Sequence, residues 1–413
     1  MNKQMAHFLT VFIPVRSVRR KVRDYLKHKN MKAKPKKKPT QSLLFEICHD
    51  LLILERKNTS INIRNLLSKE NKPLHYLPTD STQNYLYMLF GVDPVVYNET
   101  TEVERKEVHP FYMSWEIRPT NHNQRIMELA STYGKPLIFV GDSFLRSINT
   151  FADKTALPCY QKGISFTFDD LTSYFDATRP SRLEMMLNDK NLVLSDEQLS
   201  RARTCIDKIV TNHLTKYNSQ PIFTPDIGRK GAKKVLVIDQ SYNDMSIIKG
   251  LGSDLTFERM LKAAIDENPD ADIIIKTHPD TMAGRGGYYT DIEPHDNIYT
   301  QTTPINPISL LQYCDKVYVC STQFGFEALM CGKEVRVFGL PFYAGWGLTK
   351  DEQSCERRTN KRTLEEIFYI TYIMYSYYVN PDKGCRCEIE EAMDYLLQLR
   401  EKYFKEKNIV IKD

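Results

Sequence analysis

The chain has 413 residues, of which 41% are hydrophobic and 26% are charged, and it contains 24 tyrosines and 19 phenylalanines. This composition is typical of a folded globular protein and excludes disorder for most of the chain, while the length favours two domains. The net charge is only +5, and no interleaved aromatic residues of the kind that nucleic-acid-binding motifs carry accompany the basic ones. We therefore expect no nucleic-acid partner. Nine cysteines occur without metal-ligand spacing, which predicts a reduced compartment and no metal site.

The amino end combines a short apolar run with a basic tail. Residues 7–15 (HFLTVFIPV) are followed by residues 16–38, which contain Arg and Lys almost without acidic residues. The apolar run is far shorter than the ~20 residues that span a bilayer, so it is not a transmembrane helix. The basic residues follow the run, whereas in a secretory signal peptide they precede it, so the segment does not resemble such a signal. We interpret residues 1–40 as a basic amphipathic segment on an anionic cytoplasmic membrane leaflet, which predicts a cytoplasmic, peripheral protein. A solvated basic extension is the alternative.

A strand–helix–strand pattern appears twice along the chain. Residues 42–104 show helical patterns with polar interruptions and indicate little about chemistry. From residue 111 a short strand, a helix at 123–133 and the buried strand PLIFV follow one another. After residue 231 four short apolar strands alternate with helices. Both stretches are typical of a parallel sheet.

These patterns predict an α/β protein with two Rossmann-like domains that face a central cleft. The first domain is expected at residues 41–230 and ends in a long helix over 195–217. The second is expected at residues 231–345. Residues 346–413 are expected to be helical, with one helix at 363–378, and to pack on the cleft and the domains.

Polar side chains follow three successive strands of the second predicted domain. Ligands of open parallel sheets bind beyond the carboxyl ends of the strands, so these side chains are expected to converge. The residues are Gln240 and Asp244 after the first strand, His278 and Pro279 after the second, and Ser321 and Thr322 after the third.

The serine and threonine of this set precede a helix, whose amino-terminal N–H groups and dipole favour a phosphate. Simple capping of that helix by Ser321 or Thr322 is the alternative. Pro279 fixes the exit of its strand, so His278 is positioned to donate to the same phosphate. An ionised Asp244 beside an anion site is unfavourable unless chemistry offsets the repulsion, and a nucleophile or base facing the anomeric carbon of a sugar would do so.

Charged residues also follow the strand PLIFV in the amino-terminal half. We interpret four of them as the acceptor-facing wall of the cleft, with an internal salt-bridge network as the alternative. These are Asp142, Arg146, Asp176 and Arg179. Ser181 and Glu184 have the spacing of a capping box, which explains them without a function.

The loop PFYAGWGLTKDE at residues 341–352 follows the last predicted strand and so leaves the sheet on the side of Asp244. Its glycines allow the backbone to approach a ligand closely. We expect Trp346 to cover an apolar face of a sugar or nucleotide in the cleft. The alternative is that Trp346 pins the following helix against the domain.

Several motifs between residues 111 and 381 together resemble the KpsC-type capsule polysaccharide biosynthesis proteins. They are VGDSFLRS, YFDATRPSRLE, VLVIDQSYNDMSI, IIKTHPD with AGRGG, and VYVCSTQFGFEALMCGKEVRVFGLPFYAGWGLT. The resemblance implies a GT-B fold and a retaining β-Kdo glycosyltransferase that takes Kdo, an acidic sugar, from CMP-Kdo without a metal or cofactor. It also implies a lipid-linked or oligosaccharide acceptor, and other capsule assembly proteins as partners.

The resemblance further implies roles for individual residues. Asp244 matches the nucleophile of a double displacement. Asp142 and Arg146 match the acidic and basic positions of a motif usually written EDGFxRS, and Asp142 is the second catalytic candidate. His278, Pro279, Ser321 and Thr322 match family motifs at the nucleotide phosphate. From the residues themselves we also expect Gln240, Arg285 and Glu327 in the nucleotide-sugar site. Arg285 lies between two glycines, and a planar guanidinium suits a carboxylate or phosphate.

This chain departs from the family pattern at three places. Gly141 and Ser143 replace motif residues, so the acid/base role of the usual glutamate cannot be placed at Gly141. Lys276 and Thr277 stand where KPHP is typical. KpsC proteins carry two modules and only one is present here, which favours one type of linkage or a single terminal addition. Two other functions stay open: transfer of another CMP-activated acidic sugar, and a non-catalytic role in capsule assembly or export.

Overall fold

The computed structural model describes residues 49–50, 75–76, 85–89, 95–96, 111–117, 120–151, 153, 155–277, 286–289 and 296–411. The predicted membrane-surface segment at residues 1–40 lies outside these, and so do His278, Pro279 and Arg285. The described chain divides into two compact units: the first holds the residues up to Gly141 and Thr167–Ser173, and the second holds Asp142–Phe166 and the chain from Tyr174 onward. The domain bounds suggested by the sequence at residues 230 and 345 remain predictions.

The first unit contains parallel strands in the spatial order β2-β1-β3-β4. The helix α1 begins where Thr120 Oγ1 accepts a hydrogen bond from Asn123 N at 3.2 Å, as a capping threonine does. The predicted strand–helix–strand pattern is confirmed here. The elements are β1 (His75–Tyr76), a 3-10 helix (Leu86–Leu89), β2 (Val95–Val96), β3 (Tyr112–Trp115), α1 (Asn121–Tyr133) and β4 (Leu137–Asp142).

A mostly helical stretch leads to the second sheet. The strand β5 begins in the second unit and ends in the first. The predicted helix over 195–217 is shorter than expected: it ends at Thr211, because His213 adopts a left-handed φ of 54° that an α-helix cannot contain. The elements are α2 (Pro158–Gln161), β5 (Ser165–Asp169), α3 (Arg182–Asn188) and α4 (Asp196–Thr211).

The second unit contains a six-stranded, all-parallel sheet in the order β11-β10-β9-β6-β7-β8. All four predicted strands are confirmed, and β8 and β11 were not predicted. The elements are β6 (Lys234–Ile238), α5 (Met245–Lys249), α6 (Asp254–Asp266), β7 (Asp272–Lys276), β8 (Ile298–Gln301), α7 (Pro307–Tyr313), β9 (Lys316–Val319), α8 (Phe324–Met330), β10 (Glu334–Val337) and β11 (Lys350–Asp351).

The carboxyl-terminal part differs from the prediction. The helix expected at 363–378 ends early, and the buried segment SYYVN that follows is a strand, as aromatic and β-branched residues favour. The strand β12 pairs antiparallel with β13. The elements are α9 (Leu364–Phe368), a π-helix (Tyr369–Met374), β12 (Ser376–Asn380), β13 (Cys385–Cys387) and α10 (Ile389–Lys407).

The six-stranded sheet has two distinct faces, because successive side chains of a strand point to opposite sides. One face, the α6 face, packs on Phe257, Met260 and Ala264 of α6. The sheet contributes Val235, Val237, Ile273, Ile275, Tyr318 and, directly after β9, Cys320. Each apolar side chain of this size contributes ~1.5–3 kcal/mol when fully buried. The alternate residues, beginning with Leu236 and Ile274, form the opposite face. Within the residues described, no helix has both the length and the apolar character that crossing a bilayer requires.

Candidate functional site

The carboxyl ends of β6 and β9 form the switch point of the parallel sheet. From β6 the chain continues to β7 and β8 on one side, whereas β9 lies on the other side and leads to β10 and β11. The two connections diverge there and leave a crevice, which is where open α/β sheets bind ligands. Gln240 follows β6 and Ser321 follows β9. Ser321 N donates to Gln240 Oε1 at 3.0 Å, and Gln240 Nε2 donates to Ser321 Oγ at 3.3 Å.

Thr322 lies next to this pair at the start of α8. Its Oγ1 accepts from Phe324 N at 3.3 Å, and its carbonyl accepts from Tyr343 Oη at 2.7 Å. The hydroxyl thus binds the first N–H group of α8, although the N-cap position itself is Gln323, which makes no side-chain capping bond. Binding of a phosphate by Ser321 and Thr322 remains a prediction.

Asp244 is exposed and begins α5. Its Oδ1 accepts from Ser246 N at 2.8 Å, which makes it the N-cap of this helix. The preceding Asn243 has a left-handed φ of 60°, a conformation that costs energy outside glycine. A hydrogen bond to Tyr288 stabilises this conformation, because Asn243 N donates to Tyr288 Oη at 3.3 Å. Tyr242 N donates to Gly286 O at 3.2 Å. The segment at 286–289 thus fixes the loop that carries Asp244.

Asp239 is a site residue to which the sequence assigned no role, although it directly follows a strand. Its side chain is only 1% exposed. Oδ1 accepts from Gln240 N at 2.8 Å and from Tyr288 N at 2.9 Å, and Oδ2 has no hydrogen-bond partner among the described residues. Burial raises the pKa of this carboxyl, against the lowering effect of the backbone hydrogen bonds. Asp239 therefore ties the segment at 286–289 to the end of β6.

The helix α5 packs directly against the carboxyl ends of β9 and β10. Leu340 N donates to Gly250 O at 2.7 Å. A Cβ atom at Gly250 would lie 3.0 Å from Ser321 Cβ and would also clash with Ser246 O, so only glycine allows this approach. Asp244, at the other end of α5, is thereby brought to the same edge of the sheet as Ser321.

The proposed acceptor wall consists of paired charges. Arg146 Nε lies 2.7 Å from Asp142 Oδ2, and Arg146 is only 2% exposed. Arg179 Nε lies 3.5 Å from Asp176 Oδ2, and Asp176 Oδ1 accepts from Thr178 N at 3.1 Å. Ala177 N donates to Lys249 O at 2.9 Å, which places this segment beside the end of α5. The ion pairs expected from the alternative are present, and contact with an acceptor remains a prediction.

Trp346 does not line an open surface. Its side chain is 0% exposed, and Nε1 donates to Phe342 O at 2.8 Å. Arg358 Cζ lies 5.4 Å from the centre of its ring, and Nη1 of Arg358 donates to Pro341 O at 2.6 Å. The expectation that this indole covers a ligand is corrected, because a fully enclosed ring has no surface to offer. Trp346 instead packs the loop onto the domain.

Glu184 also has a different role from the one expected. Ser181 Oγ accepts from Glu184 N at 3.0 Å, so the serine caps α3. The carboxylate does not complete a capping box: it pairs with Arg357 Nε at 2.7 Å and with Arg358 Nε at 3.0 Å. We call Glu184, Arg357 and Arg358 the arginine clamp.

Glu327 lies in the interior on α8 and is 4% exposed. Its Oε1 accepts from Gln323 Nε2 at 3.2 Å, and the same Nε2 donates to Phe144 O at 2.9 Å. Burial raises the pKa of the Glu327 carboxyl to about 7, against the lowering effect of Lys216 and Gln323. The structure thus places Glu327 in a buried polar cluster, and contact with the nucleotide sugar remains a prediction.

In the first unit a carboxylate lies beside Gly141. Glu116 follows β3, has a left-handed φ of 51°, and donates its N–H to Val140 O at 2.8 Å. Its Cγ and Oε1 lie 3.4 and 3.8 Å from the position that a Cβ of residue 141 would take. Glu116 therefore fills the space that the missing side chain of Gly141 leaves. A sequence pattern could not have found it, because 25 positions separate the two residues.

In the described part of the chain, no three His, Cys, Asp or Glu side chains are grouped so as to hold a metal ion. The absence of a metal requirement remains an expectation.

Comparisons with known proteins identify proteins that are similar to this chain. The family model for capsule polysaccharide biosynthesis proteins matches residues 113–383. The capsule polysaccharide modification protein LipA of Neisseria meningitidis serogroup A is 40% identical over 301 residues, which are 70% of this chain and 41% of LipA. The lipopolysaccharide-processing protein LpsZ of Rhizobium meliloti is 36% identical over 260 residues, which are 62% of this chain and 58% of LpsZ. The chain thus spans only part of the length of these relatives.

Two solved structures of KpsC from Thermosulfurimonas dismutans share the fold. The beta Kdo 2,4 transferase has a TM-score of 0.69 and 33% identity, covering 79% of this chain and 98% of that chain. The beta Kdo 2,7 transferase has a TM-score of 0.58 and 27% identity, covering 80% of this chain and 100% of that chain. This likeness, together with the two sheets, confirms the predicted GT-B-like α/β fold.

Proposed function

Because this chain belongs to the capsule polysaccharide biosynthesis protein family, we propose that it is a retaining glycosyltransferase that moves Kdo from CMP-Kdo to a glycan or glycolipid acceptor. The observation that carries the proposal is the likeness to the beta Kdo 2,4 transferase, which extends over 98% of that chain. The TM-score of 0.69, against 0.58 for the 2,7 transferase, favours a 2,4 linkage. The proposed donor site is the switch point at Gln240 and Ser321, with His278, Pro279 and Arg285 completing it.

The proposed mechanism is a double displacement. A carboxylate oxygen of Asp244 attacks the anomeric carbon of Kdo, the bond from this carbon to the phosphate oxygen breaks, and CMP leaves with the bonding electrons. The acceptor hydroxyl then attacks the same carbon, its proton passes to a base, and the Asp244 carboxylate is released. Two inversions at one carbon leave the configuration retained. The exposure of Asp244 supports this role, since its described side-chain hydrogen bond occupies Oδ1 alone.

Asp142 is the proposed base of the second step. Its Oδ2 is paired with Arg146, whereas Oδ1 is buried and has no hydrogen-bond partner among the residues that the structure describes. An ion-paired carboxylate with one free oxygen is held in place and can still accept a proton. No part of the proposal requires a metal. The proposed setting is the inner face of the inner membrane, with residues 1–40 as the contact to anionic lipid and other capsule assembly proteins as partners.

The function is tested by incubating the protein with CMP-Kdo and a lipid-linked Kdo acceptor. CMP release is followed over time, and the product is analysed for its linkage. We expect CMP release and a β-2,4-linked Kdo. A parallel panel of other CMP-activated acidic sugars is the control. If the protein turns over one of these sugars and not CMP-Kdo, that sugar is the donor and the proposed donor is wrong. No turnover with any donor would favour a non-catalytic role in capsule assembly or export.

A further inference from the structure

Lys276 is a buried amine at the carboxyl end of β7. It is 7% exposed. Its Nζ donates to Thr277 O at 3.1 Å, and this is its one hydrogen bond within the described residues. Gln301, its register partner on β8, uses its own amide to donate to Thr303 O at 2.8 Å. A lysine ammonium has three donors, so two of them lack an acceptor among the residues that the structure describes.

The sheet places Lys276 in the proposed donor site. Lys276 pairs in register with Ile238 of β6, and both therefore lie on the face opposite α6. Gln240 comes two residues after Ile238 and so lies on the same face. Ser321, which is bonded to Gln240, follows β9 and continues this row. Three neighbouring strand ends thus carry an amine, an amide and a hydroxyl along one face of the switch point.

We infer that Lys276 is an anion-binding residue of the donor site, whose ammonium pairs with an anionic oxygen of the nucleotide sugar, either on the phosphate or on the sugar carboxylate. This inference rests on the proposed function. Lys276 has no acidic partner among the described residues, and a buried ammonium of this kind costs stability in the free protein. A bound anion would offset that cost. Burial lowers the pKa of Lys276 to about 8, so at neutral pH most of the side chain still carries its charge.

The test compares the wild type with Lys276→Met by isothermal titration at pH 7 with CMP-Kdo, CMP and cytidine. Loss of one charge-assisted contact is expected to weaken CMP-Kdo binding about 10- to 100-fold. Weaker binding of CMP as well would assign Lys276 to the phosphate, and unchanged CMP binding would assign it to the sugar carboxylate. Lys262→Met is the matched control, because Lys262 is 76% exposed and is paired with Asp266 on α6.

A second measurement does not depend on the variant. At pH 8.5 the wild type should take up protons when it binds CMP-Kdo, because an anion raises the pKa of Lys276. Titration in buffers of different ionisation enthalpy measures this uptake. Wild-type affinity in Lys276→Met, or no proton uptake, would overturn the role of Lys276 while leaving the proposed function intact. A wild type that binds neither CMP-Kdo nor CMP would overturn both.

Discussion

Charged side chains have opposite environments in the arginine clamp and at the switch point of the six-stranded sheet. In the clamp, Glu184 and Arg358 are 6% and 3% exposed at their side chains, and each charge faces an opposite one. At the switch point, the buried Lys276 has a single backbone carbonyl as its described partner, and Asp244 is exposed. Paired interior charges hold a structure together, whereas a buried charge without a counter-ion is costly unless a ligand supplies one. Three experiments test this difference.

The largest effect is expected at Asp244. Asn caps a helix about as well as Asp, so Asp244→Asn should unfold within ~0.5 kcal/mol of the wild type. Without a nucleophile, transfer should fall on the order of 10³-fold or more. Initial rates of CMP release and urea unfolding measure the two quantities. Asp196→Asn is the matched control, since Asp196 is an exposed carboxylate in the first turn of α4. Full transfer activity in Asp244→Asn would disprove the nucleophile.

The next largest effect is expected in the arginine clamp. Arg358→Met leaves the buried Glu184 with a weaker partner and removes the bonds to Pro341 O and Ala344 O. Breaking a buried pair in this way costs ~3–5 kcal/mol of unfolding free energy. Arg357→Met removes the partner whose side chain is 39% exposed, and such half-exposed pairs contribute ~1 kcal/mol or less. Equal losses in the two variants, measured by urea unfolding, would show that burial does not decide the strength of the clamp.

The smallest effect concerns the pH dependence of stability. Burial lowers the pKa of Lys276 from 10.5 to about 8, so between these values the unfolded chain binds more protons than the folded one. The unfolding free energy of the wild type should therefore rise with pH relative to Lys276→Met, by about 3 kcal/mol at most across this window. Below pH 8 the full cost of the buried charge is present. Unfolding of both proteins at pH 7, 8.5 and 10 measures the difference, and a difference that does not change with pH would contradict a buried, unpaired ammonium.

The strands of the second sheet were predictable because buried parallel strands are continuous apolar runs. KVLVI and DIIIK are such runs. The sequence therefore also shows which residues follow the carboxyl ends of these strands. The segment SYYVN was not predictable as a strand, because apolar and aromatic residues continue from the preceding helix without a turn signal. Short apolar runs of this kind suit both structures, and the tertiary context decides between them.

Residue chemistry at short spacing sets local structure, so the sequence alone shows that Gln240, Asp244 and Ser321 follow parallel strands. The position of β9 beside β6, and the shared face of Lys276 and Gln240, follow from the packing of the whole sheet. The tertiary structure also decides that Glu184 binds Arg357, 173 positions away, and that Trp346 is enclosed. The choice among distant partners depends on how whole elements pack, and no local pattern records that packing.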